Sequence, residues 1–331
     1  MKIAVFSAQR YDREFLNAAN ASAGHQLRYF DEPLDRESVG LAAGYDAVCI
    51  FVNDRADAEV LQALAVGGTR LVALRCTGFN NVDLKAAGPL GLKVVRVVSY
   101  SPHSVAEHAV ALLLAINRKI HRAYNRTRDS NFALDGLMGF DLHGKTVAVV
   151  GTGKIGSVFA KIMLGFGCEV IGYDQYPSEA FQALGARYAE PREIGARADI
   201  VSLHCPLTPE THHIINADTL ARAKRGALLV NTSRGGLIDT EAVIEALKSG
   251  QLGGLALDVY EQEADLFFRD LSSTIITDDV FQRLLSFPNV IVTGHQAFFT
   301  QEAITTICET TLRSASEFAA GQPLSNEIKA S

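Results

Sequence analysis

The 331-residue chain has no CxxC pair, no apolar stretch approaching 18 residues, no internal repeat and no low-complexity tract. Each absence removes a class of protein. The five cysteines, Cys49, Cys76, Cys168, Cys205 and Cys308, are odd in number and widely spaced. That argues against a disulfide framework or a zinc site, and no metal is expected. Three of them sit in apolar, strand-like contexts where a thiol is buried and inert. Without a long apolar run there is no membrane span to expect. The opening MKIAVFSAQRYDR has too short an apolar stretch for a signal peptide. Neither sign of charge dominates, with 31 Lys and Arg against 37 Asp and Glu. A net charge of −6 gives no ground for a nucleic-acid or anionic-membrane partner. The one basic run, Arg118, Lys119, His121, Arg122, Arg126 and Arg128, continues an amphipathic helix and reads as a solvated face or a subunit contact. A reducing cytoplasm fits all of this.

What is present is an alternation. Hydrophobic residues make up 48% of the chain, and its length suits two domains. KIAVFS (2–7), DAVCIF (46–51), RLVALR (70–75) and KVVRVV (93–98) read as buried strands separated by helical patterns, the rhythm of a parallel sheet. Ser101-Pro102 then opens a helix, with Val105, Ala109, Leu112, Leu113, Ile116 and Ile120 at helical spacing. This reading makes one long linking helix over 101–125. A second strand series follows: TVAVVG from 146, EVIGYD (169–174), DIVSLHC (199–205), ALLVNTS (227–233), GLALDVY (254–260) and NVIVTGH (289–295). Near-continuous apolar runs are expected where helices cover both faces of a sheet. The expected fold is α/β, with two doubly wound parallel-sheet domains. Residues 101–299 form a nucleotide-type domain inserted into a discontinuous domain of 1–100 plus 300–331, and the crossings near Tyr100 and Phe299 form a hinge.

VAVVGTGKIG (147–156) follows an apolar strand and precedes a helix-compatible run, the context that gives a GxGxxG pattern meaning. Gly151 permits the tight turn. Gly153 lets backbone approach a pyrophosphate, and Gly156 lets the helix pack on the strand. Asp174 lies 18 residues beyond Gly156. It can accept hydrogen bonds from both adenosine ribose hydroxyls and would repel a 2′-phosphate, and no arginine follows it closely. The cofactor expected is NAD (NADH).

In an open parallel sheet, ligands bind beyond the carboxyl ends of the strands. There the sequence places His204, Cys205 and Pro206, then Thr232, Ser233 and Arg234, then Asp258, Glu261 and Glu263, and finally His295. This set suits hydride transfer to a ketone bearing a carboxylate. A guanidinium grips the carboxylate and polarises the carbonyl. A histidine gives the alkoxide its proton, and a carboxylate beside it favours the protonated ring and fixes its orientation.

With GTGKIG, NTSRGG, LDVYEQE and TGHQAFF in that order, the chain resembles the D-isomer-specific 2-hydroxyacid dehydrogenases from its first strand to about residue 320. The resemblance implies a Rossmann NAD-binding domain inserted into a flavodoxin-like substrate domain. It implies Arg234, Glu263 and His295 as the catalytic group, with Glu261 a neighbour and Asp258 near the nicotinamide. Lys154, Ile155, Asp174, Cys205, Pro206, Thr211, Thr232 and Asp258 are implied to touch NAD, and His204 is expected among the cofactor-binding residues with them. The narrower resemblance is to the branch that interconverts pyruvate and D-lactate. It rests on RCTGFNNVD (75–83), SYSPHSVAEHA (99–109) and HQAFFT. It implies a substrate carboxylate held by backbone amides around Thr77 and Gly78, with Arg75 beside them, Tyr100 at the hinge, and Phe298 and Phe51 walling a methyl pocket. Arg225 and Gly236 depart from the family pattern and leave fine substrate preference open. Hydroxypyruvate, glyoxylate and 2-oxobutyrate remain alternative substrates, and an NAD-sensing binding protein remains a rival from another class. A homodimer or homotetramer is implied.

Overall fold

The computed structural model describes residues 1–329. The chain divides into two compact units, Met1–Ser101 with Phe299–Ser331, and Pro102–Phe298.

The first unit holds β1 (Lys2–Val5), β2 (Gln26–Tyr29), β3 (Ala47–Ile50), β4 (Leu71–Leu74) and β5 (Lys93–Arg96). All pairs are parallel, in the order β2-β1-β3-β4-β5, the flavodoxin-like arrangement. β3 and β4 are buried at every residue, as their unbroken apolar runs require when both faces are covered. β2 does not show in the apolar-run pattern. It is a sheet edge of sequence QLRY, alternately exposed and half-buried. The helix Gln301–Ala319 returns the chain to this unit and packs against the helix Arg10–Ala23. Its first turn is capped by Thr300, whose Oγ1 accepts from the Ala303 N–H.

The second unit has seven parallel strands. They are β6 (Thr146–Val150), β7 (Glu169–Tyr173), β8 (Arg187–Tyr188), β9 (Ile200–Leu203), β10 (Ala227–Asn231), β11 (Leu252–Leu257) and β12 (Val290–Val292). Their order is β12-β11-β10-β9-β6-β7-β8. The chain winds outward one way through β7 and β8, then returns to build β9 to β12 on the other side of β6. The switch point therefore lies between β6 and β9, where such sheets bind ligands. β8, only two residues long, was too short for the strand pattern to reveal.

The linking helix is shorter than its apolar spacing suggests. It spans Pro102–Arg118, and Lys119 then adopts a left-handed conformation at φ 54° before a second helix, Ile120–Arg128. The Lys119 ammonium donates to the Ile116 carbonyl, satisfying an acceptor at the break. Ile120, which extended the spacing by one turn, is exposed rather than buried. All five cysteines are free and buried. Among the described residues, no helix is long and apolar enough to cross a membrane.

Candidate active site

Each polar group that the sequence puts at a strand end can be followed to its neighbours. Glu263 and His295 stand 32 residues apart in the chain, yet β11 and β12 are adjacent and parallel, so their carboxyl ends emerge side by side. His295 Nδ1 lies 2.8 Å from Glu263 Oε1, and both side chains are about one-fifth to one-quarter exposed, at 19% and 25%. With Nδ1 committed to the carboxylate, Nε2 is the nitrogen left for a substrate. The second Glu263 oxygen accepts from the Tyr260 N–H at 3.0 Å, so the carboxylate is itself held in place.

His295 sits in the left-handed region, at φ 55°. A non-glycine residue stays there only when its surroundings hold it. Asp258 does so. It is fully buried, and its oxygens accept from the N–H groups of Gln296 and Ala297 at 2.9 and 2.8 Å and from Thr293 Oγ1 at 2.5 Å. Asp258, expected near the nicotinamide, is thus engaged with the protein on both oxygens and acts on the loop carrying His295. Two residues the sequence gave no reason to choose join it. His108 Nε2 lies 3.1 Å from Thr293 Oγ1 and 3.3 Å from Asp258 Oδ1. The Phe268 ring packs on His295 with centroids 5.7 Å apart. His108 lies within SYSPHSVAEHA, but the sequence reading gave it no role, and no motif marks Phe268.

Arg234 follows β10. Its chain segment is braced by Asn231, whose side chain donates to the Arg234 carbonyl at 2.9 Å and accepts from the Ser233 N–H at 3.0 Å. The guanidinium donates to the Ser233 carbonyl at 2.7 Å. Among the described residues no carboxylate lies within 4 Å of it, so its fork is available to an anionic ligand.

The glycine loop fits a dinucleotide. Gly151 is at φ 93°, and a Cβ there would lie 2.4 Å from the Cys205 nitrogen. A Cβ on Gly156 would lie 2.0 Å from the Gly151 carbonyl oxygen. Gly153 differs, since a Cβ there would meet nothing within 4 Å. The protein itself does not require that glycine, whereas a phosphate seated at the N-terminus of the helix Lys154–Gly165 does. Lys154 and Ile155 form the first turn of that helix. Asp174, at the end of β7, is aimed by three donors: the Thr152 N–H at 2.6 Å, Thr152 Oγ1 at 3.2 Å and the Tyr176 N–H at 2.9 Å. Thr232 Oγ1 is buried without a protein partner, a further polar atom open to a ligand. Thr211 closes its own turn, its Oγ1 donating to the Pro206 carbonyl at 2.7 Å. These features predict a split. Gly153→Ala should melt like the wild type yet bind NADH roughly tenfold or more weakly, as fluorescence titration reads. Gly156→Ala should lower the melting temperature itself.

His204, expected among the cofactor-binding residues, turns its ring inward. Its ring packs on Phe159 with centroids 4.9 Å apart, Nε2 pairs with Ser202 Oγ at 2.9 Å, and Nδ1 is buried without a partner. The residue as a whole is half-buried with its ring against Phe159, and the backbone of 204–205 approaches the glycine loop. Burial pushes its pKa down from 6.5 to about 3. The folded state thus refuses a proton that the unfolded state accepts between those values, and stability is lost as pH falls through that window. Relative to His204→Gln, the wild type should lose an additional ~1.4 kcal/mol per pH unit there, measured as urea midpoints from pH 6.5 down to 3.

In the first unit, Thr77 and Gly78 follow β4. Their carbonyls are engaged, Thr77 by the Arg96 guanidinium at 2.9 Å and Gly78 by the Cys76 thiol at 3.2 Å. Among the described residues, their N–H groups donate to no protein acceptor. Arg96, which also stacks on Phe79 at 4.8 Å, escaped the sequence reading. Arg75 is not presented to a ligand. It is 1% exposed, its Nε donates to Asp12 Oδ1 at 3.0 Å, and Nη2 donates to the Ser7 carbonyl at 2.8 Å. Phe51 is likewise core, with the Arg75 guanidinium 5.0 Å from its ring centroid. Tyr100 is half-buried and Phe298 buried. Phe299 sets its ring edge-on to Tyr11 in the first unit.

A parallel sheet with a glycine-lined phosphate cradle at its switch point, and a carboxylate-oriented histidine beyond the end of another strand of the same sheet, defines a nicotinamide-dependent dehydrogenase. The family model for the D-isomer specific 2-hydroxyacid dehydrogenase NAD binding domain matches residues 110–297. The D-lactate dehydrogenase of Escherichia coli is 51% identical over 99% of this chain and 100% of its own. A 2-hydroxyacid dehydrogenase homolog of Schizosaccharomyces pombe is 54% identical over 96% of each. The solved structure of the pyruvate reductase of Chlamydomonas reinhardtii superposes with a TM-score of 0.94 at 45% identity, covering 98% of both chains. The chain belongs to the D-isomer-specific 2-hydroxyacid dehydrogenases, and it is an NAD-dependent oxidoreductase.

Proposed function

We propose that the protein reduces pyruvate to D-lactate with NADH and runs the reverse reaction. The observation that carries this reading is the 2.8 Å Glu263–His295 pair, with Arg234 following the strand β10 adjacent to β11 and having, among the described residues, no carboxylate partner. The names of relatives that act on pyruvate or D-lactate support it. The cofactor, when bound, supplies the hydride that reduces the ketone carbon. The residues do the rest. The Gly151–Gly156 cradle and Asp174 hold and orient it. Arg234 receives the substrate carboxylate and polarises the carbonyl. The amides of Thr77 and Gly78 are proposed as further donors to a substrate carboxylate. His295, protonated, gives its Nε2 proton to the forming alkoxide, and Glu263 balances the ring's charge. Tyr100 and Phe298 are proposed to bound the substrate. A small methyl pocket beside Phe298 is part of this proposal and would favour pyruvate over hydroxypyruvate, glyoxylate and 2-oxobutyrate.

We place the protein in the cytoplasm, where a fermenting cell would use it to reoxidise NADH, and the five free, buried thiols suit a reducing compartment. Exposed Ile120, Tyr124, Phe132, Leu134 and Met138, on the helix Ile120–Arg128 and the segment after it, support a homodimer or homotetramer, which light scattering reads directly. The function is tested by following NADH oxidation with the four 2-oxo acids. Pyruvate should give the highest kcat/KM. A higher value for hydroxypyruvate or glyoxylate moves the assignment to that substrate, and no turnover on any of the four would turn the reading to an NAD-sensing binding protein.

A further inference from the structure

A second cluster of ligating side chains lies outside the Arg234, Glu263 and His295 group. His212 and His213 are neighbours in the loop after β9, and their rings stack with centroids 3.9 Å apart and 24° between planes. Glu261 arrives from the segment after β11, with Oε1 2.7 Å from His213 Nε2. One nitrogen of each imidazole and one oxygen of Glu261 all lie within 4.8 Å of one another. No spacing motif announces this set, because Glu261 is 48 residues from His213.

The cluster is held from several sides. His213 is in the left-handed region at φ 51°, and its N–H donates to the Gly236 carbonyl at 2.9 Å. Its carbonyl accepts from the Asn216 side chain at 2.9 Å. The second Glu261 oxygen accepts from Thr240 Oγ1 at 3.3 Å. The Glu261 backbone is pressed against Gly235, where a Cβ would stand 2.3 Å from the Glu261 nitrogen. Nothing in hydride transfer calls for two stacked imidazoles and a carboxylate at this place.

We propose that His212, His213 and Glu261 bind one transition-metal ion of the Zn²⁺ class, with water completing a tetrahedral shell. Two imidazoles and one carboxylate are a zinc donor set, whereas Mg²⁺ and Ca²⁺ favour shells of oxygen alone. Ligand atoms at zinc distances stand about 3.4 Å apart around a tetrahedron. The His213–Glu261 pair therefore opens slightly and His212 closes in. His212 is exposed, and turning its ring off the His213 stack brings its nitrogen toward the pair. The bound ion joins the loop after β9 to the segment after β11, on either side of the turn through Gly235 and Gly236. It thereby braces the turn that follows Arg234. The site stands independently of which 2-oxo acid is reduced.

The test starts from full-length protein stripped with a chelator and then freed of it. Calorimetric titration with ZnCl₂ should show one ion per chain with micromolar affinity, and MgCl₂ should give no binding. Co²⁺ should give the visible absorption of a tetrahedral site. His212→Ala and Glu261→Gln should each weaken Zn²⁺ binding at least tenfold and abolish the Zn²⁺-dependent rise in melting temperature. His212 lies at the surface, so that variant should melt like wild type when metal-free. Binding of unaltered strength in both variants, or no binding by the wild type at 100-fold molar excess of Zn²⁺, overturns the proposal.

Discussion

His295→Ala should lower kcat for pyruvate reduction by about 10²–10⁴-fold, the range over which a positioned general acid acts, while NADH binding stays as in the wild type. The ring is removed from a strand end that does not touch the glycine cradle, so a fluorescence titration with NADH reports an intact cofactor site. Glu263→Gln should cost less. An amide can still hold Nδ1 at the 2.8 Å position, but it cannot balance the imidazolium that donates the proton. The two substitutions should not add, because both act through one proton. Single-turnover rates with preformed enzyme–NADH separate this chemistry from product release. A His295→Ala enzyme turning over within about threefold of the wild type would sink the proton-donor role.

What could be read from the sequence follows from the physics of a buried parallel sheet. Strands such as AVCI, LVAL and TVAVV are covered on both faces, so they appear as unbroken apolar runs. β2 and β8 lie at sheet edges and carry polar residues, so they do not. Helical spacing found the linking helix but not its break, because Lys119 turns left-handed at a single residue and Ile120 keeps the spacing by coincidence. The glycine loop was legible because each glycine answers a separate steric need, two from the protein and one from a ligand. Strand-end residues were legible by position and not by direction. Side chains alternate faces along a strand, so the His204 ring turned out to pack inward on Phe159 and Asp258 to grip backbone amides. Arg75 misled for the same reason. It stands at the end of β4, and its partner Asp12 is 63 residues away on a helix with no motif of its own.

That buried pair supports the second large effect. Asp12→Ala should destabilise the protein by about 3–5 kcal/mol, the cost of leaving one buried charge unpaired. Arg75 and Asp12 side chains are 1% and 4% exposed, so solvent cannot screen the orphaned guanidinium. Burial by itself is the largest influence and works against the Arg75 charge, but Asp12, with Cys49, Asp54 and Tyr11 behind it, outweighs it and holds the group above the ordinary arginine range. Asp12 also caps its helix, accepting from the Gln9 N–H at 2.9 Å, so the same substitution opens the helix start. Urea unfolding followed by circular dichroism should show the midpoint falling by more than about 1 M. Hydrogen exchange should accelerate first at β1 and β4. Removing both charges together, as Asp12→Leu with Arg75→Met, should recover much of the loss, since apolar replacements of a buried pair are often neutral or better. The double variant still loses the stacking of Arg75 on Phe51 at 5.0 Å and the bond to the Ser7 carbonyl. Its pyruvate KM should therefore rise even where its stability returns, because the segment displaced runs directly into Thr77 and Gly78. A double variant as unstable as Asp12→Ala alone would show that packing around the pair, rather than the unpaired charge, sets the cost.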